Sequence, residues 1–240
     1  MNVSVYENPE QLAAGAARDF AARAAEAVEE RGRFAAVLAG GSTPKAAYEL
    51  LARDYAEAID WGRVHVFFGD ERSVPPDHED SNYRMAREAL LDHVRVGSVH
   101  RMRGEVSPDE AAELYENELR RFFGTEGLPR FDLVLLGIGE DGHTASLFPW
   151  TSALEVADRL TAANPVPKLD TTRITLTVPV LSAARAVDFL VAGEGKAEAL
   201  REILEGNEDP RRYPAKLVEP SEDPAWLVDR AAASMLGIVS

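Results

Sequence analysis

Residues 137–143, Gly-Ile-Gly-Glu-Asp-Gly-His, crowd three glycines, two acids and a histidine into the turn that follows the apolar run FDLVLL. His143 stands two residues after Asp141, and in a non-helical turn residues i and i+2 point the same way. A carboxylate placed there favours imidazolium and orients the ring, the arrangement that acid–base chemistry requires. His143 and Asp141 are therefore the candidate catalytic pair. Gly137, Gly139 and Gly142 also match the G-x-G-x-x-G of dinucleotide loops, which need a helix to open there and present its N–H groups to a pyrophosphate. Here Pro149 interrupts soon after, and Glu140 and Asp141 put negative charge where phosphates would lie. Proton chemistry is the better reading.

Three other stretches set polar groups beside glycine. In LAGGSTPKAAYELL (38–51) a Gly–Gly turn and Ser-Thr precede a helix. Close backbone approach and the helix dipole suit a phosphate monoester held by Gly40, Gly41, Ser42 and Thr43; the plainer alternative is that Ser42 or Thr43 caps the helix. The spacing is that of neither a P-loop nor a nucleophile elbow, because the closing glycine of G-x-S-x-G is missing. GDER (69–72) places Asp70, Glu71 and Arg72 after an apolar strand, with Arg72 forking onto a phosphate or pairing within the triplet. AGEGK (192–196) sets Lys196 at a helix start, where the dipole disfavours a cation unless an anion binds. The remaining histidines read as structural or solvated: His65 packed in a strand, His93 and His100 flanking a connection, His78 in an acidic loop. No spacing matches a defined metal site, so no metal is expected.

These stretches need elements to carry them. Strands are predicted at 3–6, 33–40, 63–70, 131–139, 173–178 and 186–193. Helices are predicted at 10–31, 44–55, 81–94 (Ser81 as N-cap), 107–124, 196–206 and roughly 224–236. Ser107, Pro108 and Glu110 form a capping box and Gly124 suits the C-terminal turn. Alternating strands and helices predict an α/β fold, a largely parallel sheet with helices on both faces, and a single domain over 1–240. Residues 206–224 read as a surface loop. In such sheets ligands bind beyond the C-terminal strand ends, and all four polar stretches fall at strand ends on one rim.

Composition narrows the classes. A formal charge of −15 argues against nucleic acid and against anionic membrane. With no cysteine, disulfides, thiolate nucleophiles and Fe–S ligation are excluded. The N-terminal residues carry no secretory pattern and no apolar run approaches the roughly 18 residues of a membrane span, which predicts a cytoplasmic protein.

GDERSVPPDHEDSNYRMAREALL, FDLVLLGIGEDGHTASLFP, RITLTVPVLSAARAVDFLVAGEGKAEALREIL and LAGGSTPKAAYELL together resemble the 6-phosphogluconolactonase family over nearly the whole chain. The resemblance implies a Rossmann-like fold, no obligatory cofactor, a sugar-phosphate lactone as small-molecule partner, and a monomer or small homo-oligomer. It also implies lactone hydrolysis in which His143, oriented by Asp141, takes a proton from water. Glycine-turn N–H groups would face the oxyanion, and Gly41, Ser42, Thr43, Arg72 and Lys196 would hold the phosphate. Asp70 would either orient substrate hydroxyls or pair with Arg72. Trp150 replaces an expected glycine and Ser182 an expected asparagine. The glucosamine-6-phosphate deaminases share the Gly–Gly turn, the paired acids and DGH. They follow them with an Asn-Glu-Pro segment that is absent here, which makes that activity the alternative. A non-catalytic sugar-phosphate sensor of the same fold is the other.

Overall fold

The computed structural model describes residues 2–237. The chain opens with β1 (Asn2–Tyr6) and α1 (Pro9–Arg31), where Asn8 caps the first turn and Gly32 turns the chain out of the last. β2 (Phe34–Leu38), α2 (Ser42–Asp54) and β3 (Val64–Phe68) continue the alternation. A short β4 (Asp70–Arg72) leads to α3 (Asn82–Ala86), which Ser81 caps. β5 (Ser98–Val99) and α4 (Pro108–Phe123) follow, the latter capped by Ser107 and closed by a left-handed Gly124 as predicted. β6 (Leu133–Leu136), β7 (Thr161–Val166), β8 (Thr171–Leu176), α5 (Val178–Ser182), β9 (Val187–Val191), α6 (Ala197–Leu204) and β10 (Ala225–Asp229) complete the order.

Seven strands form a wholly parallel sheet, β1-β10-β9-β6-β2-β3-β5. Every residue of β2 and β9 is buried, as strands covered on both faces must be. The two-residue period divides them. Ala35 and Val37 of β2 join a core with Tyr115, Leu119 and Phe131 under α4. Phe34, Ala36 and Leu38 join another with Leu12, Phe20 and Tyr48 under α1 and α2. Each such large apolar side chain removed from water contributes about 1.5–3 kcal/mol.

The structure departs from the sequence reading in five places. The predicted strand 63–70 breaks at Gly69, and Asp70–Arg72 leaves the main sheet to pair antiparallel with β8. The predicted strand 173–178 is therefore antiparallel, in a second sheet ordered β4-β8-β7. The stretch around Pro165, for which no element was predicted, contains β7, and the proline is tolerated because β7 is an edge strand that needs no partner for a missing N–H. The predicted helix 224–236 is instead β10, slotted between β1 and β9, with only the turn Ala232–Met235 helical. Trp226, Leu227 and Val228 are buried, and a short run apolar on both faces carries no period to tell strand from helix. The helix predicted over 81–94 is α3 followed by a π-helical turn, Arg87–Leu91. Among the described residues no helix is long and apolar enough to cross a membrane.

Candidate active site

The rim inferred from sequence exists. Loops leaving β2, β3, β6 and β9 surround a cavity of about 360 Å³ lined by Gly40, Gly41, Asp70, Arg72, Gly139, His143 and Lys196, among others. Asp141 stands behind His143 rather than in the wall. Ser42 and Thr43 line a separate cavity of about 280 Å³ with Pro9, Glu10, Ala192 and Gly193. Neither caps α2: its N-cap is Gly41, and no side chain accepts from its first turn.

The histidine turn is held by its own backbone. Gly139 N donates to His143 O at 2.8 Å, Gly142 N to Gly139 O at 3.0 Å, and Thr144 Oγ1 to Gly137 O at 2.8 Å. The Gly139 and Gly142 N–H groups are thus spent inside the turn and do not face an oxyanion, contrary to what the sequence reading expects of glycine-turn donors. Gly139 is required by close approach, since a Cβ there would lie 2.0 Å from His143 Nδ1. The segment read as a surface loop braces this turn from behind: Ala215 N donates to Gly142 O at 3.1 Å, and Tyr213, Ala215 and Val218 are buried.

Asp141 Oδ1 lies 2.6 Å from His143 Nδ1 and also accepts from its backbone N at 3.2 Å. A carboxylate only accepts, so Nδ1 carries the hydrogen and Nε2 keeps a lone pair. Phe148 stacks on the imidazole at 4.2 Å. Burial pushes the His143 pKa down to about 4; Asp70 opposes this while Lys196, Arg173 and Arg72 reinforce it. The sequence expectation is that the neighbouring carboxylate favours imidazolium; burial and these cations act in the other direction. Desolvation and the three cations favour the neutral ring, the form a base requires.

The cations are arranged against each other. Arg72 of β4 pairs directly with Arg173 of β8, and like charges directly opposite across strands destabilise a sheet. The Nε of each is buried without a hydrogen-bond partner among the described residues. Burial, then Arg72, lowers the Arg173 pKa from its ordinary value. Two unspent guanidinium donors and Lys196 on one cavity mark a place built for an anion.

The two acids of GDER take different parts. Asp70 does not serve Arg72; its Oδ1 accepts from Asn82 Nδ2 at 3.0 Å and its Oδ2 from Ser146 Oγ at 2.5 Å. Glu71 is buried beneath the site and accepts from Ser81 Oγ and the N–H groups of Arg72, Asn82 and Tyr83. Its carboxylate thus ties the GDER strand to the start of α3, which places Asn82 against Asp70.

Sequence reasoning missed Arg173, Asn82, Ser146, Phe148 and Lys168 in the wall. Arg173 opens the strand RITLTV, but only the antiparallel β4–β8 pairing turns it toward Arg72. Ala145, also in the wall, holds a left-handed backbone (φ 46°), a conformation costly for a residue with a Cβ and concentrated at working sites.

Comparison with known proteins agrees with the fold. The family described as glucosamine-6-phosphate isomerases/6-phosphogluconolactonase matches residues 7–227. A 6-phosphogluconolactonase of Synechocystis is 48% identical over 220 residues, covering 89% of each chain. That of Homo sapiens is 39% identical over 247 residues, covering 98% of this chain and 94% of its own. Among solved structures, a 6-phosphogluconolactonase from Trypanosoma cruzi superposes with a TM-score of 0.87 at 29% identity, covering 98% of this chain and 97% of its own. A monomeric glucosamine-6-phosphate deaminase superposes at 0.80 with 24% identity over 98% of this chain and all of its own, which speaks for the shared fold alone.

Proposed function

The chain belongs to the glucosamine-6-phosphate isomerase/6-phosphogluconolactonase family, and we infer that it is a 6-phosphogluconolactonase: a hydrolase that opens the lactone of 6-phosphogluconolactone to 6-phosphogluconate. This is the second step of the oxidative pentose phosphate pathway. The observation that carries the reading is the Arg72–Arg173 pair, directly opposite across β4 and β8, each with a buried Nε that no hydrogen bond uses among the described residues, on the same cavity as His143.

Arg72, Arg173 and Lys196 bind the phosphate, and the Gly40–Gly41 turn approaches the sugar without side-chain bulk. Ser42 and Thr43 follow that turn at the start of α2 and line the neighbouring cavity. His143 Nε2 takes a proton from a water as its oxygen attacks the lactone carbonyl carbon. The tetrahedral intermediate then collapses, the bond from that carbon to the ring oxygen breaks, and the imidazolium returns the proton to the leaving oxygen. Asp141 holds the ring with Nε2 toward the water. A positioned base contributes about 10²–10⁴-fold, and anchoring the phosphate fixes the carbonyl over that water.

The test is acid release from freshly generated 6-phosphogluconolactone, followed by pH-stat with EDTA present. Acceleration over the spontaneous rate is expected. No acceleration, together with ammonia release from glucosamine 6-phosphate, would replace the lactonase by the deaminase.

A further inference from the structure

Lys168 sits at the tip of the β7–β8 hairpin, in the single helical turn Pro167–Leu169. Pro167 pre-sets the first dihedral of that turn, and Asp170 closes it in a left-handed conformation (φ 48°), its N–H donating to Pro167 O at 3.1 Å. The turn aims Lys168 and Leu169 at the cavity, where both enter the wall. The Lys168 ammonium donates to Asp141 Oδ2, while Asp141 Oδ1 holds His143 Nδ1. The same ammonium lies 4.8 Å from the centre of the Phe148 ring, which stacks on His143. Lysine, carboxylate, imidazole and phenyl ring thus close a circuit in which every member touches two others.

We propose that Lys168 is a positioning residue that acts through Asp141: it clamps the carboxylate from the side opposite His143 and so fixes the base's orientation and basicity. The inference rests on His143 being the base. A half-exposed lysine salt bridge contributes little to stability, so the reason for this one lies in what it does to Asp141. A carboxylate shared between an ammonium and an imidazole has less charge to give the ring than one serving the ring alone. The other charges facing His143 come from three further elements: Asp70 and Arg72 on β4, Arg173 on β8 and Lys196 ahead of α6. Asp70 favours the imidazolium and the three cations oppose it. Lys168 adds to the opposing side from the hairpin.

Lys168→Met removes one cation and releases Asp141 to the ring, and both changes favour imidazolium. The titration midpoint of His143, followed by NMR of the ring in the free enzyme, is expected to rise by about one pH unit, a tenfold change in proton affinity. The acid limb of kcat/KM should move up with it and kcat should fall several-fold. KM should stay within about twofold, and Lys168→Arg should restore midpoint and limb. An unmoved midpoint would overturn the proposal. So would a raised KM with unchanged kcat and limb, which would make Lys168 a substrate anchor. Absence of lactone hydrolysis by the wild-type enzyme would instead remove the functional reading, and the NMR midpoint would still decide whether the clamp exists.

Discussion

Asp141–His143 and Glu118–His100 each set a carboxylate oxygen against a histidine Nδ1, at 2.6 and 2.8 Å. The second pair is the more complete by the measure of a hydrolytic triad. His100 Nε2 lies 2.6 Å from Ser98 Oγ, and His65 Nδ1 lies 2.8 Å from the same oxygen. Yet that network fills its own space. His100 stacks on Phe67 at 4.3 Å, Phe122 packs edge-on to both histidines, and Arg33 lies over Phe122. It also corrects the expectation of a solvated His100, whose side chain is only 13% exposed. Around His143 the opposite holds: a cavity, paired arginines with unused donors, and a glycine where any side chain would collide with the ring. Hydrogen-bond geometry alone does not make an active site. Space and charge left unspent by the fold do.

The comparison breaks first at His143. His143→Ala is expected to lower lactone turnover by about 10²–10⁴-fold while leaving 6-phosphogluconate binding nearly intact; normal turnover would make this pair as structural as the other. The pH dependence has a definite sign. A base must be unprotonated, so wild-type kcat/KM should be level from pH 8 to 5 and fall as pH drops through about 4. The same depressed pKa means stability that is present above the ordinary value of 6.5 and lost as pH falls toward about 4.

Arg173 gives the next largest effect and the sharper contrast. Arg173→Met removes charge-assisted hydrogen bonds to a phosphate, about 2 kcal/mol or roughly thirtyfold in affinity by calorimetry with 6-phosphogluconate. It also relieves the like-charge opposition to Arg72, so the ligand-free variant should melt no lower than the wild type, and higher at low salt. Loss of stability without loss of affinity would reverse that assignment and place Arg173 with the structural network.

What was legible in the sequence follows from the same distinction. Gly-Gly, GDER, the histidine turn and AGEGK could be placed on one rim because a parallel α/β order puts all strand ends there, and the rim was found. Arg173 and Lys168 were not assigned roles because they reach the cavity through an antiparallel sheet that no local period announces, and Asn82 was not because it stands at the start of α3, where Glu71 holds it against Asp70. The strand β10 escaped for a related reason, being buried on both faces. Trp150 illustrates what a residue type can say. It replaces an expected glycine, and its backbone is left-handed (φ 62°), the conformation a glycine adopts without strain. Its ring is exposed and lies against Arg211, 5.2 Å from the guanidinium carbon. Ser182 Oγ accepts from Glu219 N at 3.1 Å.

The smallest effect on activity belongs to His100, and it tests the other half of the comparison. β5 is two residues long and pairs with β3 through Ser98 opposite His65 and Val99 opposite Val66, with Gly97 N and His100 N donating to Val64 O and Val66 O on either side. So short an edge strand has little ladder of its own, and the chain Glu118–His100–Ser98–His65 supplies a side-chain seam beside it. His100→Ala cuts that seam, removes the ring from Phe67 and leaves Glu118, already 35% exposed, free to hydrate. A cost of about 1–2 kcal/mol in denaturant unfolding is expected from the lost hydrogen bonds and packing. Faster exchange of the His100 amide, which donates to Val66 O at 2.8 Å, should accompany it. Lactone turnover should remain within about twofold, because the cavity's charges stand on β4, β8, the β7–β8 hairpin and the loops after β6 and β9. A large fall in turnover in a variant still folded at the assay temperature would mean that the two histidine networks are coupled, and that the edge of the sheet helps to position the rim.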